Sequence, residues 1–364
     1  MKKLICLFLT VYSGFSYSKT DSAQADTPYK NTFIVLPAIG YSPNTSWFFG
    51  ASGNYLFKPK GADSTTRTSN FNPFLVYTLE KQLLIQCTYT IFLKDEKYII
   101  SGDAVYLDFP QIYYGIGNNT LDINKENYSY KTFFMKPVFS KKLKGNLFAK
   151  VGYEYYNIFN VERKENGLLD LIERPPSYNG GVASGIMLGI GYDSRNNVLN
   201  SSKGIFLNFK SAFYPTMLGS GFVFQSYTLD ARKYLMPFKN REDVIAFQGY
   251  GLFNFGATPF ALLAQLGGET LMRGYYRGRY RDNHLLACQA EYRLHVWERF
   301  GFVGFAGFGD VANEISKFNI NDIKYSYGMG LRIKLVKKEL LNLRIDYGIT
   351  PISRNFYVSI AEAF

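Results

Sequence analysis

The sequence predicts an all-β protein: a transmembrane antiparallel β-barrel of about sixteen strands. Segments of about ten residues alternate between apolar and polar side chains, as in Tyr325 to Leu335 and Leu341 to Ile349. Soluble sandwich strands also alternate, but they usually run about five to six residues. The chain is 18% aromatic, yet its mean hydropathy is −0.12. Aromatic residues in this abundance are typical of the interfacial girdles of membrane barrels.

The N-terminal segment predicts export. Residues 1–18 carry two lysines, then the apolar run LICLFLTV and small residues, which is the pattern of a secretory signal peptide. Cleavage is expected after Ser18 or as late as Ala25. The remaining sequence has no run of about 18 apolar residues, which excludes membrane-spanning helices. We therefore expect residues 32–364 to form the barrel and to lie in the bacterial outer membrane.

The predicted strands run from Thr32–Gly40 to Asn355–Phe364, and an even number suits a closed antiparallel barrel. Their connections alternate in length. The long ones follow odd-numbered strands: Asp108–Asn127, Asn160–Val182, Asn254–Asn283 and Ala312–Ile323. The connections after even-numbered strands are mostly short and basic. This pattern predicts short periplasmic turns and long outer loops, with both termini in the periplasm.

One connection has an unusual composition. Gly267 to Tyr280, GGETLMRGYYRGRY, lies between predicted strands eleven and twelve and shows almost no alternation. An arginine on a loop inside a polar lumen can pair with a buried carboxylate, whereas the same pair in water contributes little. We therefore expect this loop to enter the lumen. The alternative is a solvated outer loop that carries Arg273, Arg277, Arg279 and Arg281.

At this point two motifs carry a family resemblance. The loop sequence LMRGY, followed by FGD on strand thirteen, resembles the BamA/TamA-type outer-membrane barrels, also called the bacterial surface antigen family. The resemblance implies a lumen loop motif whose arginine pairs with the aspartate of strand thirteen. The residues concerned are Arg273, Gly274, Tyr275, Phe308 and Asp310. From the alternation we place Phe308 and Asp310 on the inward face of that strand.

Two further segments resemble parts of such barrels. GYDSRNNVLNSSKG resembles the family's Asp-x-Arg turn, which implies a turn motif of Asp193, Arg195 and Gly204; Asn200 stands where the family has a proline. The last ten residues are similar to the C-terminal recognition strand of outer-membrane barrels. Their apolar face, on which Glu362 is the one exception, comprises Phe356, Val358, Ile360 and Phe364.

The resemblance implies a role in outer-membrane protein assembly or transport. Well-known family members carry POTRA domains before the barrel, but residues 19–31 are too few for a domain. We therefore expect the barrel to work with separate periplasmic or outer-membrane subunits. The alternative is a passive channel or a structural, surface-interacting barrel without insertion activity. A weak seam between the first and last strands would favour a role in assembly or transport over a passive channel. Pro37 removes a backbone donor at this seam.

Other functional classes find little support. A Gly-x-Ser-x-Gly nucleophile elbow is absent, and so are metal, phosphate-loop and dinucleotide motifs. We expect no enzyme activity, no cofactor and no metal. Glu291 and His295 share the inward face of strand twelve, where we interpret them as lumen residues rather than as a catalytic pair. The net charge of +12 indicates outer-membrane lipids and lipopolysaccharide as partners, rather than nucleic acid.

Overall fold

The computed structural model describes residues 31–59, 66–93, 96–198, 200–297, 299–336 and 341–364. These residues form a closed antiparallel barrel of sixteen strands, as predicted. The predicted signal peptide, residues 1–18, lies outside the described residues. The strands are β1 (Thr32–Ser42), β2 (Ser46–Phe57), β3 (Ser69–Thr78), β4 (Leu83–Phe92), β5 (Tyr98–Asp108), β6 (Glu126–Met135 and Val138–Lys142), β7 (Leu147–Arg163), β8 (Gly181–Asp193), β9 (Gly204–Tyr214), β10 (Phe224–Leu235), β11 (Val244–Gly256), β12 (His284–Trp297), β13 (Phe300–Ala312), β14 (Lys324–Val336), β15 (Leu341–Ile349) and β16 (Arg354–Ile360).

Short elements lie in the connections. Gln111–Tyr113 pairs with the start of β6, and Ala264–Leu266 pairs with Tyr280–Asp282. A π-helical turn spans Leu168–Glu173. The 3₁₀ turns are Asp122–Asn124, Thr216–Leu218, Phe260–Leu262, Ile315–Lys317 and Ile320–Asp322. Among the described residues, no helix is both long and apolar enough to cross a membrane.

Strand β6 differs from the prediction of one continuous strand over Tyr128–Ser140. It is interrupted between Met135 and Val138, where Pro137 has no N–H to donate to a ladder. The chain nevertheless stays in the sheet, because the Pro137 carbonyl accepts a hydrogen bond from Tyr153 N at 3.0 Å. The two segments therefore serve as one barrel strand.

Side chains on the strands alternate between the outer surface and the lumen. On β14, Tyr325, Tyr327 and Met329 are 54%, 50% and 69% exposed, whereas Ser326 and Arg332 are buried. The exposed apolar face is the one that contacts lipid in a membrane barrel. The alternation predicted for this strand therefore assigns both faces correctly.

The predicted inward face of β13 is wrong. Phe302 and Phe308 are 53% and 55% exposed and face outward, while Val303 and Phe305 are buried on the lumen side. In the sequence FGFVGFAGFGD, Phe302, Phe305 and Phe308 are spaced three positions apart, and glycines lie on both faces. Alternation therefore cannot define a face in this strand. Phe308 belongs to the lipid-facing surface.

The long outer loops close over the outer mouth of the barrel. Arg281 is fully buried there and donates to the Tyr128 hydroxyl at 3.0 Å, while Gly117 N donates to the Arg281 carbonyl at 2.8 Å. Arg279 is also buried and donates to the Thr120 carbonyl at 2.9 Å. Arg277 is exposed. The alternative of a solvated loop thus fails for Arg279 and Arg281.

A substitution on β15 tests the two faces. Ile345 lies at mid-strand on the outward face, so Ile345→Arg is expected to cost about 2–4 kcal/mol near the bilayer midplane. Arg344→Lys, on the opposite face, should be better tolerated because it keeps the positive charge beside Glu269 and Asp346. Heat-modifiable migration on gels reports the fraction folded. Equal tolerance of the two changes would show that the faces are assigned incorrectly.

Candidate functional site

The loop between β11 and β12 descends into the lumen and packs its tip on β15. Gly274 has a φ of +112°, and a Cβ there would lie 2.7 Å from Thr350 Cγ2. A Cβ on Gly348 would lie 2.6 Å from the Arg273 carbonyl carbon and 2.6 Å from Gly274 N. Both glycines are therefore needed, because backbone meets backbone at this point.

Hydrogen bonds fix the loop tip to the last strand. Gly274 N donates to the Tyr357 hydroxyl at 3.0 Å, and that hydroxyl donates to the Tyr275 carbonyl at 3.2 Å. The Gly274 carbonyl accepts from Asn355 Nδ2 at 2.6 Å and from Ser353 Oγ at 2.8 Å. The loop tip therefore supports β16 from inside the barrel.

Arg273 lies at the centre of the lumen with its side chain fully buried. Its guanidinium donates to Glu291 on β12 and, at 2.5 Å, to Asp346 on β15. It also stacks on the Phe305 ring, with 3.6 Å between Cζ and the ring centroid. The planar fork of an arginine can bond two carboxylates on different strands, which a lysine ammonium does less well.

Further arginines surround this centre and extend it toward the periplasmic end. Arg332 donates to Asp346 at 2.6 Å and to Glu362 at 2.7 Å. Arg293 donates to Glu291 at 2.8 Å. We call the whole set the arginine cluster; it comprises Glu269, Arg273, Glu291, Arg293, Arg332, Arg344, Asp346 and Glu362. Its four cations and four carboxylates balance, which such deep burial of charge requires.

The expected pair between Arg273 and Asp310 does not form. Asp310 lies on the outward side of β13, next to Leu286, and bonds Asn118 Nδ2 at 3.2 Å and Val311 N at 2.9 Å. It is only 3% exposed because the outer loop with Asn118 covers it. The resemblance thus identified the loop arginine, Arg273, but Asp310 is not the acid with which it pairs.

The Asp-x-Arg segment forms a compact turn between β8 and β9. Arg195 donates from its backbone N and its guanidinium to Asp193, at distances of 2.8 to 3.1 Å. Gly204 has a φ of +109°, and a Cβ there would lie 2.3 Å from the Ser194 carbonyl oxygen. The turn also reaches the arginine cluster, since Arg293 donates to the Ser201 carbonyl at 3.2 Å.

The last residues do not continue the apolar face of β16. The strand ends at Ile360, and Ala361 takes a left-handed φ of +67°, which redirects the chain into the lumen. Glu362 then meets Arg332, and Phe364 packs with Tyr234 and Val244. Phe356 remains outward, and Val358 is buried beside β1. Glu362, the exception in the sequence pattern, was the signal of this turn.

A substitution at Phe364 tests what this packing contributes. The ring is buried, and its carbonyl accepts from Arg293 at 2.9 Å. Phe364→Ala should therefore lower the amount of folded barrel in the outer membrane without changing secretion across the inner membrane, and Phe364→Leu should retain most of it. Cell fractionation measures both. Normal outer-membrane levels of Phe364→Ala would contradict the prediction. The role of Phe356, Val358, Ile360 and Phe364 in recognition stays a prediction.

The hypothetical Glu291–His295 pair has a different arrangement. Both oxygens of Glu291 accept from arginines, Arg273 and Arg293. His295 Nε2 lies 3.7 Å from Glu242 at the periplasmic end. Among the described residues, no group of three or more His, Cys, Asp and Glu side chains is arranged to hold a metal ion. The charged side chains of this part of the lumen therefore pair with each other.

Comparison with known proteins identifies the family. The Omp85 superfamily domain matches residues 87–364. The chain belongs to the Omp85 superfamily. It is therefore an integral β-barrel of the bacterial outer membrane. None of the curated protein sequences compared matches the chain.

Solved structures of Omp85-type barrels share this fold. BamA from Haemophilus ducreyi, lacking POTRA domains 1–3, matches with a TM-score of 0.62 and 14% identity over 91% of this chain and 70% of that one. CdiB from Escherichia coli matches with a TM-score of 0.59 and 11% identity, over 93% and 64%. CdiB from Acinetobacter baumannii gives 0.55 and 12%, over 90% and 59%. The chain thus spans less than two thirds of either CdiB.

Sequence reasoning missed most of the arginine cluster. The alternation places Asp346, Arg332 and Arg344 only on the polar faces of regular strands, with Gly348 among them. Nothing in one sequence shows that β12, β15 and the tail after β16 (residues 361–364) lie together around the loop tip. The signal that was present is the density of charges and glycines on the inward faces of β14 and β15.

Proposed function

We propose that this Omp85-superfamily barrel acts in outer-membrane protein assembly or transport, and that the seam between β1 and β16 is the part that opens. The observation that carries the proposal is the pairing of these strands. Tyr41 and Val358 form the single registered pair between them among the described residues. By contrast, β1 pairs with β2 along its whole length, from Thr32 to Ser42.

Features of both seam strands favour opening. Pro37 lies within β1 and has no N–H to donate. The tail after β16 turns into the lumen at Ala361 instead of continuing beside β1. A barrel whose first and last strands share so little ladder can expose strand edges, and exposed edges accept further strands.

The loop tip gives the seam strand an internal support. Its hydrogen bonds to Tyr357 and Asn355 hold β16 in place. Strand β1 contributes only one registered pair to β16 among the described residues. A client strand could thus pair with an open edge without loss of the barrel's shape. This support distinguishes the proposal from a passive channel, for which a fully paired seam and an open lumen are expected.

The proposed function and the net charge indicate two kinds of partner. We propose that separate periplasmic or outer-membrane subunits deliver clients, and that lipid headgroups and lipopolysaccharide phosphates contact the basic surface. A net charge of +12 supports the second contact.

Depletion of the protein in its native cell tests the function. We expect unfolded outer-membrane barrels or secreted passenger proteins to accumulate in the periplasm, and a pull-down from the native membrane to recover the client-delivering subunits. A conductance of the purified barrel in planar bilayers, with no change in outer-membrane protein levels after depletion, would contradict the proposal in favour of a channel.

A further inference from the structure

The exposed charges of the barrel are distributed unequally between its two ends. Among the described residues of the periplasmic turns, Glu242 is the only exposed acid. The exposed cations at this end are Lys97, Lys141, Lys144, Lys203, Lys239, Arg241 and Arg299. In the outer loops, exposed cations are mixed with the exposed acids Glu80, Asp122, Glu165 and Glu314. The distribution therefore favours an anionic partner at the periplasmic end.

Four lysines of this end lie together on two neighbouring turns, which join β4 to β5 and β6 to β7. We call them the basic rim; they are Lys97, Lys141, Lys142 and Lys144. Lys142 N donates to the Lys97 carbonyl at 2.9 Å, and Lys141 lies opposite Tyr98 in the ladder. The second turn is closed by a hydrogen bond of 3.0 Å from Leu147 N to the Lys144 carbonyl. The backbone thus holds the four lysines close to each other.

The positive charge of the basic rim is not compensated by neighbouring acids. Among the described residues, the lysines with carboxylate partners are Lys131 and Lys334, and neither belongs to the basic rim. Glu96 precedes Lys97 in the sequence, but its carboxylate lies 2.8 Å from the Arg67 guanidinium. Like charges on adjacent strands repel each other. An anion bound beside these lysines therefore stabilises the folded barrel.

Apolar side chains lie next to the basic rim on the outward surface of the barrel. Tyr98 and Phe139 stack with their ring centroids 5.5 Å apart, and Lys97 Nζ lies 5.7 Å from the Tyr98 centroid. Phe139 is 41% exposed, and Leu143, between two of the lysines, is 51% exposed. Long cationic side chains beside exposed aromatic rings are typical of the membrane–water interface. A partner that contacts both sets of side chains needs an anionic group and acyl chains.

We propose that the basic rim binds the headgroup of an anionic glycerophospholipid in the periplasmic leaflet of the outer membrane. The lipid phosphate accepts hydrogen bonds from the lysine ammonium groups, and the acyl chains lie against Phe139 and Leu143. An acidic protein that approaches from the periplasm reaches the lysines but not Phe139, which faces the bilayer. The inference rests on the proposed contact with lipid headgroups and names the leaflet and the lipid class.

Quenching of tryptophan fluorescence by brominated lipids tests the proposal in the full chain, reconstituted into vesicles. In a barrel with Trp47→Phe and Trp297→Phe, Phe139→Trp places a single tryptophan beside the basic rim. We expect dibrominated phosphatidylglycerol to bind there about tenfold more tightly than dibrominated phosphatidylcholine. Lys141→Glu combined with Lys144→Glu should reduce this ratio to about one, because each lysine near the membrane surface contributes about fivefold.

Two controls use the same assay. Lys317→Glu, in the exposed outer loop between β13 and β14, should leave the lipid preference of the Phe139→Trp reporter unchanged. A barrel that keeps only Trp47, at the outer end of β2, should be quenched equally by the two lipids, because the exposed charges at that end are mixed.

Three results would overturn the proposal. Equal quenching of the Phe139→Trp reporter by the two lipids would remove the headgroup preference. An unchanged preference in a folded barrel with Lys141→Glu and Lys144→Glu would show that these lysines do not bind the headgroup. Loss of the preference when inorganic phosphate is added at the concentration of the lipid would identify a simple anion site. Because the assay contains no client protein, lipid preference without client assembly would refute the proposed function alone, and client assembly without lipid preference would refute the lipid site alone.

Discussion

Arg273→Ala should destabilise the barrel by about 3–5 kcal/mol, the cost of breaking a buried ion pair. The change removes the guanidinium that joins Glu291, Asp346 and the Phe305 ring. The cluster then has more carboxylates than cations in a site without solvent. Unfolding in urea from lipid vesicles measures the loss.

Two further variants separate charge from geometry. Arg273→Lys keeps the charge but cannot bridge two carboxylates, so an intermediate loss is expected. Arg277→Ala, on the same loop but exposed, should unfold like the wild type. A wild-type midpoint for Arg273→Ala would mean that the arginine cluster contributes nothing to stability.

Gly348→Ala should lift the loop tip off β15. The new methyl carbon would lie 2.6 Å from both the Arg273 carbonyl carbon and Gly274 N, and these backbone atoms cannot give way as a flexible side chain can. Overpacking of this kind costs about 1–3 kcal/mol or more, and here the bonds from the loop tip to β16 are lost as well. The expected result is a lower urea midpoint for unfolding from lipid vesicles than that of the wild type.

Gly304→Ala is the matched control. Gly304 lies on the outward face of β13, and a Cβ there would meet no atom within 4 Å. It should unfold like the wild type. Equal urea midpoints for the two variants would contradict the close packing between the loop tip and β15.

The fold could be predicted from the sequence where alternation is regular. On β14, apolar and polar side chains strictly alternate, so both faces and the strand itself were predicted correctly. On β13, phenylalanines spaced three positions apart and glycines on both faces gave no usable period, and the inward face was assigned incorrectly. Alternation identifies the lipid-facing side of a strand only when the side chains on its two faces differ in polarity.

The site was less predictable because it depends on contacts between distant residues. Arg273 and Asp346 are 73 positions apart, and the barrel's closure brings them together. The tail enters the lumen because Ala361 adopts a left-handed conformation, which is uncommon for a residue other than glycine. Neither fact follows from composition or local pattern, although the acidic Glu362 on an otherwise apolar face marked the place.

The seam is tested most directly by locking it. With the native cysteines replaced, Tyr41→Cys and Val358→Cys lie opposite each other across the seam, and paired residues of antiparallel strands approach closely enough for a disulfide. Ile39→Cys and Phe49→Cys, paired between β1 and β2, give a control cross-link that leaves the seam free. The measurement is the rate at which a urea-unfolded outer-membrane barrel folds into liposomes that contain each oxidised variant. We expect the locked seam to reduce this rate to that of protein-free liposomes and reductant to restore it, while the control remains active. Client folding at the wild-type rate with the seam oxidised would contradict the account.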